Sequence, residues 1–201
     1  SHPGEMVEHA IALGMSGIGI ADRNSVAGVV RAHSAWKTAQ KEGRTGGFKL
    51  IVGARLVFAD GTPDIVAYPT TRRGWGRLTR LLSLGNLRAK KGDCILRFED
   101  LLEWCDEMCL IAIPLRAFAS SRGKNLNHAK TRRREEEDCL RQLRVRTPNL
   151  YIGASMHRSG ADKRNLAALK TLSAETGIPL IATNDALYAT AADRPYHDIL
   201  T

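Results

Sequence analysis

Aromatic side chains are scarce, at 5% of the 201 residues. Without Phe, Tyr or Trp interleaved among the basic residues there is no RNP-type motif, which excludes a sheet surface built to stack bases. The four cysteines, Cys94, Cys105, Cys109 and Cys139, make no Cys-x-x-Cys pair. That spacing excludes a zinc ribbon and leaves reduced, partly buried thiols as the expectation. No Gly-x-Gly-x-x-Gly and no Walker loop follows any apolar run, so the usual nucleotide fingerprints are missing. No secretory leader and no apolar run of membrane-spanning length is present, which points to a cytoplasmic protein. Acidic residues are the minority: Lys and Arg number 30 against 21 Asp and Glu, a net charge of +9. A balance of that sign favours an acidic partner such as nucleic acid. A starting methionine is also lacking. The chain opens on Ser1-His2-Pro3-Gly4, directly before a helical pattern, and so reads as beginning inside a larger polypeptide.

What is present is enough apolar residue, 43%, for one substantial core, and residues 1–201 read as a single domain. Apolar spacing predicts helices after Pro3 as far as Gly14, from Val26 to about Lys41 and from Gly74 to Leu87. Further helices follow over Phe98 to Trp104, Thr131 to Val145 and Ala161 to Thr176. The second should pack Val29, Val30, His33 and Trp36 on one side, with Asn24 or Ser25 as its cap. Strands are expected at Ile18–Ala21, Leu50–Phe58, Ile65–Tyr68, Cys109–Ile113, Leu150–Ala154 and in the run after Pro179. The second and third should form a hairpin across Ala59-Asp60-Gly61-Thr62-Pro63. Arg116 to Lys130 reads as an exposed loop. Arg132, Arg133 and Arg134 stand four residues before Glu136, Glu137 and Asp138, the spacing of a solvated, ion-paired helical face. Strands alternating with helices imply an α/β fold with a mainly parallel sheet, nearer a barrel than an open sheet.

The chemistry-bearing residues follow the strands, where a rigid scaffold holds open loops. One such end is Ala182-Thr183-Asn184-Asp185, another is Ala21-Asp22-Arg23-Asn24, and Leu150–Ala154 leads toward His157-Arg158. His157, Asp185 and Asp22 are residue types that bind Zn or Mn and acidify a bound water. Each also has an ordinary reading: a hydrogen-bonded histidine for His157, and a turn or helix cap for Asp22 and Asn184.

Four stretches fall in a recognisable order: Ile20-Ala21-Asp22-Arg23-Asn24-Ser25-Val26-Ala27-Gly28-Val29, Leu50-Ile51-Val52-Gly53-Ala54-Arg55, Met156-His157-Arg158 and Ala182-Thr183-Asn184-Asp185-Ala186-Leu187-Tyr188. Together they resemble the polymerase-and-histidinol-phosphatase (PHP) domain at the amino terminus of bacterial C-family DNA polymerases. Gly28-Val29-Val30-Arg31-Ala32-His33 and the run from Gly76 to Gly85 are similar to the error-prone, damage-induced subgroup more than to the main replicase. The resemblance implies a distorted seven-stranded (β/α) barrel, TIM-like, whose first strand with its His-x-His pair would precede Ser1. It implies an amino-terminal fragment of a larger polymerase, acting in translesion synthesis and damage-induced mutagenesis, with the remaining polymerase domains, DNA and other mutagenesis or replication subunits as partners.

The departures from the family pattern bear directly on mechanism. Active members carry Asp-His where this chain has Asp22-Arg23, Gly-x-Glu where it has Gly53-Ala54-Arg55, and Asp-x-His where it has Asp185-Ala186-Leu187. Of the matching ligands only His157 and Asp185 remain. Two guanidinium groups in place of ligands add positive charge where a divalent cation would sit, and like charges repel. The expectation is a structural domain without catalysis and without a cofactor. Arg23 or Arg55 would pair with Asp185, or the two would form a phosphate pocket, or they would point outward. Arg72, Arg73, Arg77 and Arg80 are candidate DNA contacts. The alternatives are an active Zn- or Mn-dependent phosphoesterase or proofreading 3'-5' exonuclease, and the PHP domain of the replicative polymerase.

Overall fold

The computed structural model describes residues 2–114, 126–156 and 160–195, with side chains of the long helix described from residue 134 onward. The chain divides into two compact units, residues 1–54 with 185–201, and residues 55–184.

In the first unit, helix α1 (Pro3–Ala12) starts at a proline, whose fixed φ suits a first helical turn, and ends before Gly14. Strand β1 (Gly17–Arg23), helix α2 (Val29–Lys41) and strand β2 (Lys49–Leu56) follow. Val7 and Ala10 of α1, Ile20 of β1, Ala32 of α2 and Phe48 form the buried cluster, with Trp36 and Leu50 against it. The stripe of α2 that is buried is therefore the alanine row, Ala32 and Ala39. Val30 is 70% exposed and His33 is exposed, contrary to the packed face expected for them. Small side chains let α2 sit close to α1, and that closeness turns the bulkier neighbours outward.

The end of β2 belongs to the second unit, where neighbouring strands run in chain order: β2, β3 (Asp64–Pro69), β4 (Met108–Ile113), β5 (Leu150–Ala154) and β6 (Leu180–Ala182). Six strands are described in all. β3 and β4 are antiparallel, with Val66 opposite Ile111, whereas β4, β5 and β6 are parallel, with Ile111 opposite Tyr151 and Gly153 opposite Ile181. Helices α3 (Arg72–Arg88) and α4 (Phe98–Trp104) join β3 to β4; α5 (Leu126–Arg146) and α6 (Asp162–Thr176) lead to β5 and β6. Helix α5 begins five residues before the expected start, so Leu126–Lys130 are helical rather than loop. Within α5, Glu136 is buried rather than solvated. The side chains of Arg132 and Arg133 lie outside the described residues. Leu78, Leu81, Leu101, Met108, Leu110, Leu140, Leu143, Leu150 and Ile152 are fully buried and supply the unit's core. None of the cysteines is in a disulfide, and burial pushes all four thiols above their ordinary range. Among the described residues no helix is long and apolar enough to cross a membrane.

One carboxylate ties the α3–α4 connection together. Asp100, with its side chain 9% exposed, accepts from both terminal nitrogens of Arg88 and from the Arg97 amide at 2.9 Å. A bidentate, charge-assisted pair fixes both direction and distance between the end of α3 and the start of α4. Asp60 holds the same turn from the other side, accepting from the Phe98 amide at 2.7 Å and from Thr62. The Arg88 guanidinium keeps Asp100 below the usual carboxylate range. A depressed folded value means stability that is present above the unfolded carboxyl's titration and lost as pH falls through the folded one. Asp100→Ala is expected to cost about 2–3 kcal/mol near pH 7, the range for hydrogen bonds to a charged group. Urea unfolding should show that deficit shrinking as pH falls below about 4, where the unfolded carboxyl begins to take up a proton while the folded one stays ionised. An equal deficit at pH 7 and pH 3 would contradict the pairing.

Candidate functional site

The segment after β1 is organised by Asp22. Its Oδ2 accepts a 2.5 Å hydrogen bond from the Gly28 amide, the residue that caps α2. An anion at a helix amino terminus is stabilised by unpaired amides and by the helix dipole. Contrary to the sequence expectation, neither Asn24 nor Ser25 caps α2, whose N-cap is Gly28; Asn24 is left-handed at φ 47°, and the Ser25 hydroxyl accepts from the Ala27 amide at 3.1 Å. The chain turns back sharply at Asn24, a residue type that tolerates this region. Gly28 is required by space. A Cβ there would lie 2.7 Å from Asp22 Oδ2 and 2.9 Å from Pro3 Cγ. Nearby, an Arg31 guanidinium nitrogen bonds His2 Nε2, and since arginine only donates, the imidazole nitrogen accepts. Arg23 itself is exposed.

Arg55, at the end of β2, donates from Nε to Asp64 Oδ2 on β3 at 2.8 Å, both side chains being about a third exposed or less. A guanidinium thus occupies the position where the family pattern places a bridging carboxylate, and it carries its own anion beside it. The ends of β5 and β6 lie side by side: Ser155 Oγ and Thr183 Oγ1 are 2.6 Å apart, and the Thr183 amide bonds the Ala154 carbonyl at 3.0 Å. Asp185 follows, exposed and left-handed at φ 44°, and Leu187 is 58% exposed. His157 and Arg158 lie outside the described residues.

Among the described residues no three of His, Cys, Asp and Glu gather in a way that could hold a metal ion. Of the positions that the family resemblance marks as ligands, 23 and 55 carry guanidinium groups and 187 an alkyl chain, and Oδ2 of Asp22 accepts from the Gly28 amide.

Of the candidate DNA contacts, Arg72 and Arg80 are exposed on α3. The other two are partly neutralised, Arg73 by Glu107 at 3.5 Å and Arg77 by Asp106 at 3.2 Å. Sequence reasoning missed these acids, and it missed a groove of about 600 Å³ lined by Arg73, Gly76, Arg77, Glu103 and Trp104. A glycine in the middle of a helix was the available signal.

Comparison with known proteins supplies the context. The model of the PHP domain matches residues 1–141. The chain is 47% identical over 198 residues to error-prone DNA polymerase 1 of Rhizobium meliloti (strain 1021), covering 98% of this chain and 16% of the relative. It is 41% identical over 206 residues to the error-prone DNA polymerase of Brucella abortus biovar 1 (strain 9-941), covering 100% and 17%. The chain thus spans about a sixth of the length of these relatives. A solved structure of a putative metal-dependent phosphoesterase from Bifidobacterium adolescentis superposes with TM-score 0.56 at 13% identity, over 94% of this chain and 83% of that one. An amidohydrolase from Chromobacterium violaceum, with bound sulfate and no metal, gives 0.53 at 14%, over 95% and 83%. At such identities the likeness is one of fold.

Gly28→Ala is expected to destabilise the chain by about 1–3 kcal/mol, the usual cost of forcing an added carbon into a filled space. In an Asp22→Ala background the added methyl no longer meets the carboxylate, so chemical denaturation should show the Gly28→Ala penalty falling. An unchanged penalty would place the constraint elsewhere.

Proposed function

Because the chain belongs to the PHP domain family, we propose that it is the non-catalytic PHP module of a bacterial error-prone DNA polymerase, serving to stabilise that polymerase. The observation that carries this reading is the guanidinium at position 55, bound to Asp64 where a metal-bridging carboxylate would be needed. Arg23 and Leu187 remove two further ligands. On this reading Arg55 beside Asp64 takes the counter-charge role that divalent ions have in active members, so no metal is required for the fold. Nucleotidyl transfer, with the translesion and damage-induced synthesis proposed for the parent, belongs to other domains of the same chain. The exposed Arg72 and Arg80 support a supplementary contact with DNA phosphates, sequence-independent and weakened by salt.

The full-length polymerase tests this. Asp185→Ala and His157→Ala should each leave primer extension within about twofold of wild type, as for residues outside the reacting centre. Release of nucleotides from single-stranded DNA, and hydrolysis of p-nitrophenyl phosphate, should stay at background with added Mn or Zn. Hydrolysis that Asp185→Ala abolishes would establish instead the phosphoesterase or exonuclease reading.

A further inference from the structure

Helix α2 carries a cluster of cations and rings that the function proposed above does not use. Its 13 residues include Arg31, Lys37 and Lys41 and no acid. Arg31, His33, Ser34, Lys37 and Lys41 are all exposed. At helical spacing Ser34, Lys37 and Lys41 fall on one stripe, with Arg31 and His33 on its flanks. Several arginines elsewhere in the chain meet carboxylates: Arg44 bonds Glu8 and Glu42, Arg55 bonds Asp64 and Arg88 bonds Asp100. On α2 the charges rest against neutral groups instead. A guanidinium nitrogen of Arg31 bonds His2 Nε2. Lys37 Nζ donates to Gln40 Oε1 at 3.2 Å and lies 5.0 Å from the centroid of the Trp36 ring. Neutral partners orient a cation without cancelling its charge, so this face keeps a positive field. The residues whose side chains are not described, 115–133, 157–159 and 196–201, contain one acid, Asp198, too few to offset three cations.

The rings beside these cations are held in place. Trp36 donates from Nε1 to the Phe48 carbonyl at 3.3 Å and packs against the buried cluster of α1, β1 and α2, so the core sets its plane. His33 lies against Trp36 with ring centroids 5.6 Å apart and planes tilted by 51°. An exposed ring fixed beside cations is the combination that binds single strands, in which a base stacks on the ring while the cations follow the backbone. A duplex keeps its base faces covered, so the ring selects a single strand. Lys37 and Lys41 stand one helical turn apart, a step comparable to that between successive phosphates of an extended strand. The stacking position is a single histidine on a helix, which differs from the sheet platform that the sequence excludes. We propose that the exposed face of α2 binds single-stranded DNA, with Lys37 and Lys41 on neighbouring phosphates and a base on His33. The choice of DNA rests on the polymerase reading above, and the site belongs to a different helix from Arg72 and Arg80.

The test places a photo-crosslinking amino acid at position 34, beside these side chains, in the full-length polymerase, irradiated with a subsaturating labelled oligothymidylate. A crosslink to the oligonucleotide is expected. Its yield should fall about sevenfold between about 50 and about 200 mM salt, the dependence for two phosphates of a single strand. Lys37→Ala with Lys41→Ala should cut the low-salt yield at least about tenfold, and Lys37→Arg with Lys41→Arg should restore it. His33→Ala should lower it about fivefold or more, the low end of base–aromatic stacking. No crosslink to the oligonucleotide, crosslinks only to protein, or a yield indifferent to salt, to the paired lysine variant or to His33→Ala would each overturn the proposal. Primer extension by the same preparation reports separately on the polymerase reading, so its failure and that of the α2 site are distinguishable.

Discussion

Charge that is buried or half-buried has to be met, and at three carboxylates of this chain it is met by protein. Asp22 is bound by the first amide of α2, Asp64 by Arg55, and Asp100 by Arg88 and the Arg97 amide. Each carboxylate fixes a connection: the turn from β1 into α2, the end of β2 against β3, and the end of α3 against the start of α4. A fold of this class that holds metals satisfies clustered carboxylates with cations from solution, at the cost of needing them for charge balance. Here the guanidinium groups are covalently part of the chain and always charged.

The sequence resolves this unevenly. Helix and strand positions were legible because Leu78, Leu81 and Leu82, or Leu150 and Ile152, recur with the right period. The direction of β3 was not, because antiparallel pairing with β4 is set across the whole α3–α4 connection and leaves no local mark. On α2, the alanines beat the valine and the histidine for the buried face, since close helix approach outweighs side-chain size. The early start of α5 escaped because the residues there are polar and carry no apolar repeat.

For the candidate site, the departures at positions 23, 55 and 187 could be read directly from residue identity. The turn-or-cap reading of Asp22 agrees with its bond to Gly28. The partner of Arg55 was not legible: Asp64 stands across an intervening turn, and only the strand pairing brings the two together. Nor could the acids beside Arg73 and Arg77 be assigned, since Asp106 and Glu107 belong to a different connection whose course is a tertiary matter. A basic sequence stretch thus overstated the basic surface.

The central claim is that side-chain cations have displaced metal from this fold, and metal content measures it most directly. Full-length polymerase, purified without chelator and dialysed against Zn, Mn and Fe, is analysed by plasma mass spectrometry with residues 1–201 intact. Less than about a tenth of an equivalent of any of them is the predicted result, as for a site lacking its ligand set. Near-stoichiometric metal that is lost in Asp185→Ala would contradict the account, showing that His157 and Asp185 still anchor a working centre.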